Sequence, residues 1–285
     1  MANCLICGNE LKQPIKNYCS NCGFLTPQNS ILNNSIIRKP FPHQYHGAIY
    51  YIICLDIAIY FIQRIFPRVS IYLAMNPVLV IHNGYVWQFV TYMFVHNRIY
   101  FLFDMLGLFL FGQSVEYRIG TWEFLLYYFT TGIFAGLFSF VFYFFSGSYT
   151  ILLIGGGGPL FAVMLAYATF RCDDIVYIWG HIPIRVPIFV LGYTIGNILN
   201  YLFFKLFNRN SSTAYLTNVS GVVFGWIFFL LRFGASPWVL FRFKRKNALQ
   251  NLPGKYRDYW QIIIIPLTYI FAFIIGFIFR LFRSK

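Results

Sequence analysis

Residues 122–145 read WEFLLYYFTTGIFAGLFSFVFYFF, an apolar run with one charged residue, Glu123, near its start. An α-helix rises 1.5 Å per residue, so roughly 20 such residues cross the hydrocarbon core of a bilayer. The run lacks alternation and is far longer than a barrel strand, which excludes a β-barrel. Comparable runs occupy 47–66, 99–115, 151–170, 187–207, 215–231 and 260–279. The chain therefore reads as an all-α polytopic membrane protein. Its composition agrees, because 59% hydrophobic and 11% charged residues in a chain of 285 cannot make a water-exposed surface.

The net charge of +14 sits between the apolar runs rather than on one soluble unit. That distribution argues against a nucleic-acid partner and for topology signals and contact with anionic membrane lipids. The connector 232–259 carries Arg232, Arg242, Lys244, Arg245, Lys246, Lys255 and Arg257 against Asp258 alone, and is cytosolic by the positive-inside rule. With the N-terminus also cytosolic, most of the 22 Lys and Arg fall on that side. In a prokaryote the membrane would be the plasma membrane. The stretch 67–98 is too broken to cross and is expected to lie half-submerged at the interface. Pro266 would allow the last run to bend rather than cross, and the basic tail behind it points the same way. No cleavable signal is expected, since the first apolar run begins behind a polar, cysteine-bearing segment.

That segment holds Cys4-x-x-Cys7 and Cys19-x-x-Cys22, each pair followed by glycine, Gly8 and Gly23. Two such knuckles can supply four thiolates to one tetrahedral zinc ion, whose binding would provide the folding energy a short segment lacks. Two disulfides or a redox pair are the alternatives, and a reducing cytosol disfavours the first. The implied order is a zinc ribbon over 1–25, a linker over 26–46 and a membrane core over 47–232. A basic connector over 233–259 and a seventh hydrophobic helix with a basic tail over 260–285 follow.

Three motifs recur in order within the core. Trp87-Gln88 with Thr91, Phe94 and His96 is followed by Gly112-x-x-x-Glu116 and Gly120. Gly155, Gly156, Gly157 and Gly158 lead into Phe161 and Ala166-Tyr167-Ala168. Asn218-x-x-Gly221-x-x-x-Gly225 closes the series. Together they resemble the rhomboid family of intramembrane serine proteases. The resemblance implies a six-helix bundle, here with an extra C-terminal hydrophobic helix. Trp87, His96, Glu116, Gly155, Gly156, Gly158, Gly221 and Gly225 would be scaffold or client-binding positions, with Glu116 anchoring the first loop.

The departures decide the expected chemistry. Family members cut with a serine and a histidine, the histidine taking the serine proton. Here those positions are Gly157 and Asn218, which offer neither nucleophile nor base. The positions that help hold the oxyanion align with Tyr100 and Asp104, and a carboxylate would repel a developing oxyanion. The expected function is thus a pseudoprotease that binds transmembrane client segments without cleaving them, its zinc ribbon serving a cytosolic partner. One alternative is an endopeptidase with a non-standard site, for which Ser220 is the nearby hydroxyl. Another is a proton- or ion-linked transporter using Asp56 and Asp104, since intramembrane carboxylates are costly and suggest function.

Overall fold

The structure is a computed structural model, and it describes residues 44–147, 149, 151–171, 175–178, 182–206 and 214–233. The cysteine segment, the basic connector and the seventh apolar run lie outside the described residues. What is described is mostly helical: α1 Ala48–Ile65, α2 Val69–Leu73, α3 Pro77–Asn83, α4 Gln88–Thr91, α5 Arg98–Gly107, α6 Gln113–Ile119, α7 Thr121–Phe145, α8 Gly157–Phe170, α9 Val186–Leu206 and α10 Ala214–Phe233. A π-helical turn, Leu108–Gly112, joins α5 to α6. Ala48–Ile65, Thr121–Phe145 and Tyr215–Arg232 are long and apolar enough to cross a membrane, while Gly157–Phe170 and Val186–Asn200 are shorter apolar helices.

The all-α expectation needs one correction. Strands β1 Ile175–Ile178 and β2 Ile182–Arg185 pair antiparallel between α8 and α9, in the register Ile175 to Arg185. Their isoleucine and valine side chains are branched at Cβ, which favours a pleated surface over a helix. The run 151–170 also starts its helix later than its composition suggests. Leu153 exchanges both backbone hydrogen bonds with Met75, and Gly155 follows at φ 111°, a conformation that an L side chain rarely adopts. The helix begins only at Gly157.

α8 is apolar all round, and every residue from Gly158 to Thr169 is buried. Such a helix belongs at the centre of a bundle. It packs against α7, α9 and α10. Its closest neighbour is α10, where the hydrogen of Gly221 faces backbone: a Cβ there would meet the Gly158 carbonyl oxygen and lie 2.8 Å from the Gly158 Cα. Four residues on, a Gly225 Cβ would meet the Tyr127 hydroxyl at 2.7 Å and the Ala162 Cβ at 3.0 Å. The glycines therefore permit a backbone-to-backbone seam, the contact small residues provide between helices in lipid.

The stretch 67–98 forms α2, α3, α4 and a 3-10 turn, Tyr92–Phe94. Asn76 caps α3 through its Oδ1, which accepts from the amides of Val78 and Leu79, and Pro77 fits the first turn where no amide proton is needed. The buried Gln88 ties the stretch together, donating to the carbonyls of Ile71 and Tyr72 and accepting from the Asn76 amide. Ile71, Tyr72, Ile81, Val86 and Trp87 remain exposed.

Two charged anchors sit near helix ends. Glu116 accepts from the amides of Ala48 (2.7 Å) and Ile49 (3.1 Å) and from the Thr121 hydroxyl (2.6 Å). It thus anchors the start of α1 rather than the first loop. Arg232 reaches both oxygens of Glu123 at 2.7 and 3.0 Å, joining the end of α10 to the start of α7. A bidentate pair of this kind is strong where water is scarce.

Candidate functional site

The motif residues converge at the head of α8. Gly157 faces Asn218 of α10 so closely that a Cβ on Gly157 would overlap the Asn218 Oδ1 and sit 3.1 Å from its Cγ. Asn218 Nδ2 in turn donates to Oδ1 of Asn197 on α9 at 2.9 Å. Asn197 is buried and spends its own amide protons on the Tyr193 carbonyl one turn back. A chain of two carboxamides therefore links α9 to α10 and lies against Gly157. Asn197 was missed by sequence reasoning, because a lone asparagine in an apolar helix belongs to no motif.

A carboxamide has no basic lone pair near neutral pH. Ser220 Oγ is buried and donates to the Thr217 carbonyl within its own helix. Tyr100, at 43% exposure, stays on the surface, and Asp104 turns towards His96. Trp87 stacks on Tyr85 at 4.5 Å and donates to the Tyr72 carbonyl, staying within its own loop.

His96 is the node of a second cluster. Its backbone is clamped by Gln63 of α1, which donates to the His96 carbonyl and accepts from the His96 amide. Its ring lies between two carboxylates, with Nδ1 3.7 Å from Asp56 Oδ1 and Nε2 3.2 Å from Asp104 Oδ2. The Gly156 amide, next to Gly157 in the chain, donates to the same Nε2 at 3.3 Å. Among the described residues, both Asp56 oxygens and His96 Nδ1 are buried without a hydrogen-bond partner. The structure thus brings Asp56, His96 and Asp104 together, with Gly155 and Gly156 beside them. The sequence paired Asp56 with Asp104 as intramembrane acids, but gave no sign that His96 lies between them.

The class of protein follows from these elements. Two helices able to cross a membrane, α7 and α10, pack on a buried helix whose glycine head meets a polar side chain of α10. A family model for the Rhomboid domain matches residues 83–233, more than half of the 285-residue chain, and the chain belongs to the rhomboid family. It is accordingly an integral membrane protein. No curated protein matches it.

Proposed function

We propose that the chain is a rhomboid-family pseudoprotease that holds transmembrane client segments without cutting them. The observation carrying this reading is the Asn218 carboxamide seated over Gly157, with Asn197 bonded behind it. A serine at 157 would collide with Asn218, and an asparagine cannot deprotonate one. In soluble serine proteases, loss of either partner costs on the order of 10⁶ in turnover. The helices that frame the site are nonetheless retained, which suits binding. In this reading a client helix that unwinds readily would enter between α5 and α9, beside the irregular backbone at 151–156.

In this reading six helices cross the membrane, the stretch 67–98 lies at the interface, and a seventh hydrophobic helix follows. The N-terminus is cytosolic. There Cys4, Cys7, Cys19 and Cys22 bind one structural zinc ion, and the knot offers a docking point to a cytosolic partner. Replacing Cys19 with serine should release the metal from purified protein while leaving its helical content unchanged.

The test of the main reading combines capture with labelling. A photoreactive group near Trp87 or at the mouth of the Gly157 site should capture membrane-spanning partners, and Gly157→Leu should reduce that capture without lowering the protein's own abundance. A serine-directed fluorophosphonate should leave the chain unlabelled. Labelling lost in Ser220→Ala would overturn the reading in favour of an enzyme.

A further inference from the structure

The cluster around His96 is not explained by client binding. Its two carboxylates approach opposite ring nitrogens, so the three side chains do not converge on one point as metal ligands must. Among the described residues there is no group of side chains placed to hold a metal ion. What the arrangement can hold is a proton.

The hydrogen-bond count shows why. An unprotonated Nε2 has one lone pair, and the Gly156 amide points at it. A protonated Nε2 has a hydrogen instead, and Asp104 Oδ2 at 3.2 Å is its acceptor. The two bonds are mutually exclusive for an ionised Asp104. On the other side of the ring, Asp56 is 1% exposed and, among the described residues, has no donor other than whatever hydrogen Nδ1 carries. A bare carboxylate at that depth is costly, and an imidazolium between the two acids compensates it.

We propose that Asp56, His96 and Asp104 form a buried proton-binding site in which a proton and the Gly156 amide compete for the Nε2 lone pair of His96. The proton enters from water by way of Asp104, whose side chain is 14% exposed. It adds to Nε2. The bond from Gly156 to Nε2 breaks, and one from Nε2 to Asp104 forms. Gly156 immediately precedes α8, so proton uptake frees the strand of backbone that positions Gly157 against Asn218. The groups facing the ring are Asp56 from α1, Asp104 from α5 and, beside Gly156, the Tyr128 hydroxyl from α7. Phe101 packs against the ring at a centroid distance of 5.8 Å, and the Phe94 backbone also reaches it.

His96 lies in the loop between the 3-10 turn and α5, outside the membrane-spanning helices. Burial opposes its charge, but the Asp104 hydrogen bond and the two acids outweigh burial, so its pKa lies above the ordinary 6.5. Protonation therefore persists above that pH. The amide of Gly156 regains its acceptor only as the pH rises further.

Amide hydrogen exchange on the full chain in lipid nanodiscs, with no client present, tests this independently of the binding function. The protection factor of a peptide covering 152–158 should rise about tenfold between roughly pH 6 and pH 9, with a midpoint above about 6.5. In His96→Gln the step should vanish. Asp104→Asn, nearly isosteric, should lower the midpoint by about one unit or more. A flat wild-type profile overturns the proposal, as does a step that survives in His96→Gln. If His96→Gln fails to fold, an unchanged midpoint in Asp104→Asn overturns it equally.

Discussion

α1 is held by one buried carboxylate and carries another, and the two are opposites. Glu116, fully buried, receives two backbone amides at the head of α1 and the Thr121 hydroxyl. Asp56, two turns into the helix and 1% exposed, receives no hydrogen bond from the described residues. The first is an anchor whose charge is consumed by donors that have no other partner. The second has only an ionisable ring beside it, so its charge is balanced in one protonation state of that ring and unbalanced in the other. Burial alone thus does not distinguish a structural acid from a responsive one. The donor count does.

The comparison breaks first at Glu116. Glu116→Leu strands two buried amides and a hydroxyl, and should lower stability by about 3 kcal/mol or more at any pH, read by thermal unfolding in detergent. Asp104→Asn should behave differently, because its contribution is the pairing with protonated His96. A group whose folded pKa is raised stabilises below its unfolded value, and that stabilisation is lost as the pH rises through the folded value. The variant should therefore cost about 1–2 kcal/mol near pH 6 and close to nothing near pH 9. Equal losses at both pH values would reduce Asp104 to a packing residue.

Smaller effects sharpen the contrast. Gly157→Ala pushes only the tip of the Asn218 side chain, and should cost about 1 kcal/mol. Restoring serine at 157 and histidine at 218 together should yield no measurable cleavage of rhomboid model substrates, since Asp104 still opposes an oxyanion. Cleavage by that double variant would show that the site lacks only its two reacting groups. Asp56→Leu should also be small, within about 1 kcal/mol of wild type near pH 9, because removing a carboxylate that is buried without a donor also removes its desolvation cost. A large loss there would reveal a donor to Asp56 and erase its difference from Glu116.

Much of the architecture was legible because lipid imposes a simple rule: long apolar runs become helices. The glycines of α8 and α10 were legible as a pair, because Gly221 and Gly225 repeat at one helical turn. The late start of α8 was not, since nothing local in 151–156 announces a bridge to Met75. The strands at 175–178 and 182–185 were missed because four-residue apolar segments carry little periodicity. At the site, Gly157 and Asn218 stood out by what they replace. Asn197 and the company of His96 did not, because Asp56, Gln63, His96 and Gly156 meet only through the tertiary fold.

The pair of Arg232 and Glu123 has a mechanical consequence. It lies at the same end of the helices as Glu116, and the Thr121 amide beside them donates to the Gln44 carbonyl. The chain from residue 43 backward and from residue 234 onward therefore attaches to one collar of hydrogen bonds and charge. Asn218 lies fourteen positions before Arg232 on α10, roughly 21 Å away along the helix axis. Tension applied to either tail would be borne by that collar, and the far end, where Gly157, Asn218 and His96 sit, would be left unloaded.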